Sequence, residues 1–408
     1  MPAEAGAGQR RLLAVSVALA LAVLLGLTGA WLSHDGDSPS AAQRAASGAD
    51  SAAEAALHAA ASRWLSIAAS GAEPAPPRPA GPASSSTDDR GCPAAWRALA
   101  GQSASSIDRV FVRLRPGALG RAATLLAASS DPFERLAGQL LAARARQPDQ
   151  PPPPEAMLAL VSEALGSDDP RTAGLAAELC ATPSIEAPAA CSSLPPQRWA
   201  AVDPDNVQPW LALAGQAQDS GDSTAVREAM ARAAQASHSR LSSSELVRLA
   251  ASPALQALSP VDRELLVIDL IGVGLGLTSA QLLDTSRLCP TGSMGPARAA
   301  QCGAVAELMV GRGQTLLEHG IGISLGRRSG WDEARVASLE TEQRQMLQLF
   351  GESTLFWPEG DGPLTAAQAC ETYRRLQAVT DLITSDTELA LARRALERAQ
   401  AASAATGR

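Results

Sequence analysis

The chain has 408 residues, of which 46% are hydrophobic and 3% aromatic, with a formal net charge of −8. That length suits one or two folded domains with flanks. Much of the apolar share is alanine, a helix former that fills little core, which argues against a strand-rich fold. All 34 Lys+Arg residues are Arg, so a Schiff-base lysine and a P-loop lysine are excluded, and without a basic block general nucleic-acid binding is disfavoured.

Residues 1–11 read as a short cytoplasmic N-terminus. Leu12 to Leu32 carries no charge, and at 1.5 Å per residue such a helix crosses a ~30 Å hydrocarbon core. Arg10 and Arg11 precede it and Asp35 and Asp37 follow, so the positive-inside rule leaves the N-terminus in the cytoplasm and exports the rest. A signal peptide cleaved near Thr28-Gly29-Ala30 is the rival reading; the length of the apolar run and Trp31 at its end favour an uncleaved anchor. The lysine-free, alanine-rich composition is typical of high-GC bacteria, so the expected location is the inner membrane, single-pass, with the bulk in the periplasm.

Residues 33–91 form an Ala/Pro/Ser-rich linker, stiffened where Glu73 to Pro79 is proline-rich. From residue 92 onward the pattern is helical, and the predicted fold class is all-α. Helices are expected over Phe133–Arg146, Glu155–Leu165, Thr172–Cys180, Val207–Gln218, Thr224–Gln235 and Asp262–Gly272. Asp131-Pro132, Asp169-Pro170, Asp203-Pro204 and Ser259-Pro260 supply starts, and Ser242 with Glu245 and Ser385 with Glu388 have capping-box spacing. Arg109 to Arg115 alternates like a strand but has no partner strand. The Asp-Pro starts recur at intervals of 38 and 34 residues, a helix-pair period. The region 92–258 is therefore expected to be a helical-hairpin solenoid. The region 259–404 is expected to be a bundle of long helices over Pro296–Glu318, Asp332–Leu349, Ala366–Ile383 and Asp386–Ala402.

After Asp203-Pro204, the order Trp210, Leu213, Ala214, Gly221, Met230, Ala233 resembles a tetratricopeptide repeat. It departs from that family at Ala217, where a Tyr is usual, and near His238, where a closing Pro is expected. The resemblance implies a surface that holds a protein or peptide partner.

All six cysteines lie beyond the apolar segment, as in an oxidising compartment. Short separations favour Cys180 with Cys191 and Cys289 with Cys302, each loop worth roughly 3 kcal/mol in the entropic account. Cys92 and Cys370 either join the ends of the folded region or stay thiols. No C-x-x-C pair exists, and His34, His58, His238 and His319 are scattered, so no metal or other cofactor is expected.

Three motifs invite a catalytic or cofactor-binding reading. Gly322-Ile323-Ser324-Leu325-Gly326 matches a nucleophile elbow, which needs a strand before it; a tight helix contact or loop is the alternative. Glu352-Ser353 resembles the Glu-Ser motif of soluble lytic transglycosylases, which cut peptidoglycan with that glutamic acid, but the Gly-Leu-Met-Gln stretch that follows in that family is missing. Gly272-Val273-Gly274-Leu275-Gly276 lacks dinucleotide spacing and reads as the end of a buried helix. Trp199, Trp210, Trp331 and Trp357 read as packing anchors. The expectation is a membrane-anchored helical scaffold, without catalysis, for an envelope protein or peptide; the alternative is an envelope hydrolase using Glu352 or Ser324.

Overall fold

A computed structural model describes residues 92, 94–97, 100–101, 104–148, 150–182, 191, 196–292, 294–354 and 363–405. The expected N-terminus (1–11), membrane segment (12–32) and linker (33–91) lie outside the described residues, as does Trp357. Among the described residues there are fifteen α-helices and no strand, with one isolated bridge between Asn206 and His238. None of these helices is long and apolar enough to cross a membrane.

The first helices follow their local signals. After α1 (Ala94–Arg97) and α2 (Ala104–Ala127), α3 (Pro132–Arg146) starts where Asp131 accepts from the Phe133 and Glu134 amides. Next come α4 (Pro154–Leu165) and α5 (Pro170–Cys180), the latter capped by Asp169. The brief alternation of Arg109 to Arg115 is helical, inside α2. A proline at the first helical position loses no intrahelical bond, and an aspartate before it satisfies orphan amides. Helices α2 and α3 form a close pair: a Cβ on Gly138 would stand 3.1 Å from the Ala123 carbonyl oxygen and from the Ala127 nitrogen.

The third Asp-Pro behaves differently. After α6 (Pro196–Val202), Pro204 and Asp205 form a turn, and α7 (Val207–Asp219) begins with Asn206 as its cap. Asp203 is buried instead, accepting from Asn206 Nδ2 and Arg240 Nη2, each at 3.0 Å. Gly221, at φ 75°, turns the chain into α8 (Ser223–Ala233), a backbone region open to glycine at no steric cost. Leu211, Ala214, Ala217, Met230 and Ala233 are buried between α7 and α8, while Trp210 and Leu213 pack half-buried at the edge.

The remaining elements are α9 (Ser242–Arg248), two short 3₁₀ turns, α10 (Pro260–Leu288), α11 (Pro296–Arg312), α12 (Leu316–Arg328), α13 (Glu333–Thr354), α14 (Ala366–Ser385) and α15 (Glu388–Ala405). Three of these elements differ from the sequence expectation. The glycines at 272, 274 and 276 do not end a helix: α10 runs through them to Leu288, because Gly274 lets α9 approach, its absent Cβ leaving Ser243 O and Val247 Cγ2 at 3.1 and 3.2 Å. The expected single helix Pro296–Glu318 breaks at Gly313, whose extended backbone precedes a capping box formed by Thr315 and Glu318. The Ser242/Glu245 and Ser385/Glu388 spacings do not cap: Ser385 belongs to α14, and α9 begins after Leu241 with no side-chain cap of its own.

Helix α10 joins the two regions expected on either side of residue 258. Its Leu266, Val267, Leu270 and Leu277 share one core with Leu119, Leu136, Leu160, Leu175 and Leu246. Its Leu282 and Leu288 enter a second core with Leu211, Met230, Val305 and Leu325. Cys180–Cys191, Cys289–Cys302 and Cys92–Cys370 all stand at disulfide distance, with Cα separations of 5.4, 6.0 and 5.4 Å. Beside the last of these, Trp96 of α1 donates to Glu264 of α10 at 2.8 Å.

Candidate functional site

The residues of chemical interest converge on the loop Gly313–Thr315, between α11 and α12. Glu318, three residues beyond Thr315, is fully buried. One of its oxygens accepts from the Gln314 and Thr315 amides at 2.7 and 3.1 Å. The other accepts from Gln208 Nε2 of α7 at 3.0 Å and from the Ser239 hydroxyl. Gln314 extends the network, its side-chain oxygen accepting from the Leu241 amide at 2.9 Å and its carbonyl from the Leu389 amide at 3.0 Å. Glu388, at the start of α15, accepts from the Leu316 amide at 3.3 Å.

A second carboxylate acts the same way on α9. Glu178 of α5 is fully buried, and its two oxygens accept from the Ser242 and Ser243 amides at 2.7 and 2.9 Å. Orphan amides at a helix start need acceptors, and here the acceptor comes from a helix more than sixty residues away. Nothing in the local spacing around Ser242 reveals it. The Thr315-x-x-Glu318 box, by contrast, is written in the sequence and marks the break that periodicity alone missed.

Burial raises these acids. Loss of solvent pushes Glu178 up to about 7 against the pull of the Ser242 and Ser243 bonds. Glu388 also rises to about 7, from burial and then the nearby Glu318 charge. Glu318 itself is raised by burial, its four bonds opposing the shift. His319 moves the other way, to about 4, because burial and then Arg393 disfavour its charged form.

Serine, histidine and glutamate are thus neighbours, but they are not wired as a catalytic relay. A relay needs the nucleophile on the imidazole and the imidazole on the acid. Here Ser239 donates directly to Glu318, and neither ring nitrogen of His319 has a hydrogen-bond partner. His238 turns away, its Nε2 3.3 Å from Asp203 Oδ1. Ser239 is 3% exposed and Glu318 and His319 are 0% exposed. What the arrangement does is tie α7, α12, α15 and the approach to α9 to one loop.

The other sequence candidates lie away from this loop or serve packing. Ser324 lies inside α12, half-buried, with no strand before it. The flanking glycines have steric roles: a Cβ on Gly322 would stand 2.9 Å from Val310 Cγ2 and 3.0 Å from the Val310 nitrogen, and one on Gly326 would overlap the Trp331 indole. Glu352 is in the last turn of α13. Trp199 is buried, Trp210 donates to the Pro204 carbonyl at 2.8 Å, and Trp331 carries the Arg335 guanidinium 3.8 Å from its ring centre. Among the described residues no group of three or more His, Cys, Asp or Glu side chains could hold a metal ion. Comparison with known proteins finds no matching family model, no matching curated protein and no matching solved structure.

Proposed function

We propose that this protein is a membrane-anchored scaffold, held in the inner membrane by residues 12–32 and exposing a helical body to the periplasm, where it binds another protein and breaks no bond itself. The observation that carries the reading is the α7–α8 hairpin. It presents Trp210, Ala214, Gly221, Met230 and Ala233 in the order of a tetratricopeptide-like unit, closed by a positive-φ glycine. Helical hairpins of this kind offer side-chain surface rather than a reaction cleft. The three cysteine pairs at disulfide distance favour an oxidising compartment, where such bonds persist. On α4, Leu158 and Leu165 lie one heptad apart and are 56% and 42% exposed.

Crosslinking in intact cells tests this, and a reproducible protein partner is the expected outcome. Recovery of none across growth conditions counts against the scaffold. Cleavage of peptidoglycan or an ester by the purified chain, lost in Ser324→Ala or Glu352→Gln, would replace it with a hydrolase. A reporter fused after residue 408 should be active only when exported, and cytoplasmic activity would refute the topology.

A further inference from the structure

The groove between α8 and the start of α11 has a volume of about 590 Å³. Val226, Pro296 and Ala297 give it apolar wall, and Gln218, Ser223 and Gln301 give it polar rim. Two guanidinium groups, Arg227 and Arg298, also line it.

Some arginines near the groove are ion-paired. Arg335 pairs with Glu307 at 2.6 Å, and Arg287 stands 3.7 Å from Asp219. Arg227 has one bond, to Thr224 Oγ1 of its own helix at 3.0 Å, and Arg298 has an enclosed Nη1 with no hydrogen-bond partner. Among the described residues neither has a carboxylate partner. The two charges also oppose each other: burial, and then the Arg227 charge, hold the Arg298 guanidinium below its usual range. A like-charge pair with no acid beside it leaves net positive charge at the groove, in a protein of net charge −8. The 17-residue helix α11 adds to the positive field, since Gly295 caps it with no side chain and helix starts carry partial positive charge.

We propose that this groove binds an acidic segment of a partner protein, with both guanidiniums closing on a carboxylate and an adjacent aliphatic side chain lying along Val226 and Pro296. Arginine forks match carboxylate geometry. The glutamines on the rim both donate and accept, as a peptide backbone requires. The groove is also larger than a bare inorganic ion needs. This inference rests on the scaffold reading and names the chemistry of its partner.

The test uses the purified full-length chain and a fluorescein-labelled peptide, Gly-Leu-Glu-Glu-Leu-Gly, read by anisotropy. Saturable binding is expected, weakened about ten- to hundredfold in Arg227→Gln and in Arg298→Gln, with no binding of the peptide carrying Gln in place of Glu. Unchanged affinity in both variants, no binding of the acidic peptide, or displacement by inorganic phosphate at equal or better affinity would each overturn the proposal. Arg227 is exposed, so its variant is expected to keep the wild-type melting profile even if Arg298→Gln does not. In the double variant Arg227→Glu/Arg298→Glu, preference should switch to a Leu-Arg-Arg-Leu peptide. If in-cell crosslinks survive unchanged in the double Gln variant, this site falls while the scaffold stands; if the wild type gives no crosslink, the scaffold falls first.

Discussion

A buried acceptor matters through the donors it leaves behind. Replacing Glu318 by Ala strands two backbone amides, the Gln208 amide and the Ser239 hydroxyl, and each orphaned buried group costs about 1–3 kcal/mol. The Glu318→Ala variant should therefore lose several kcal/mol in urea unfolding, and a loss below about 1 kcal/mol would show that water replaces the carboxylate. The glycines at 322 and 326 make a second case. Gly322→Ala forces a methyl against the Val310 backbone, an overpacking cost of about 1–3 kcal/mol, whereas Ser324→Ala, half-buried on the same helix, should stay within about 0.5 kcal/mol. Equal costs at both positions would refute the steric account of the motif. At this scale the sequence was legible where cap and capped amide lie within three residues, as at Asp131, Asp169 and Ser259. It was silent at Glu178, whose partners are remote in the chain.

Among elements, α10 does most to unify the body, and its polar anchor is Asp269. That side chain is buried and accepts from Arg144 Nε and Nη2, both at 2.9 Å, and from Arg115 Nε at 2.7 Å. It thereby fixes α10 against α2 and α3. Removing one partner of a buried pair leaves an uncompensated charge, so Asp269→Ala should destabilise by about 3–5 kcal/mol. The more exposed pair of Arg135 and Glu163, linking α3 to α4 at 2.7 Å, should be worth about 0–1 kcal/mol when Glu163 is replaced by Ala. Chemical unfolding of the two variants checks the contrast, and comparable losses would mean that water reaches Asp269. Helix existence and period were readable for α3, α4, α5, α7, α8, α11, α13, α14 and α15, but not for α12, which the reading merged into the end of α11. The full extent of α10 was not, because glycine lowers helix propensity by about 1 kcal/mol and the packing that offsets it belongs to α9.

Across the whole molecule, covalent closure and proton binding set the stability. The Cys92–Cys370 pair spans 278 residues, against 11 and 13 for the others, so in the entropic account it contributes about 5 kcal/mol and each of the others about 3 kcal/mol. Replacing Cys92 and Cys370 by Ser should lower the melting temperature more than replacing either short pair, and the reverse order would contradict that account. Non-reducing peptide mapping should recover all three linked pairs. Glu178 and Glu388 lie at about 7 and Glu264 at about 8 in the folded chain, above the 4.5 of an ordinary glutamate. The folded state therefore retains protons that the unfolded chain releases, a contribution complete below pH 4.5 and lost as pH rises through 7 to 8. His319, lowered from 6.5 to about 4, contributes above pH 6.5 and loses that contribution as pH falls through 4. Above pH 6.5 the glutamates act without this opposition, so the melting temperature should fall between pH 6.5 and about pH 8.5. A flat or rising profile would mean that these carboxyls are ionised in the fold at no cost.

The all-helical class, most helix starts and the two short cysteine pairings were determined by the sequence alone, because helix periodicity, caps and short-loop closure depend on residues close together in the chain. Tertiary structure decided which distant carboxylate satisfies α9, where α10 crosses its neighbours, that Cys92 meets Cys370, and that Arg227 and Arg298 face one groove without an acid. Those outcomes depend on burial and on contacts between segments far apart in the chain, and a linear pattern carries no record of either.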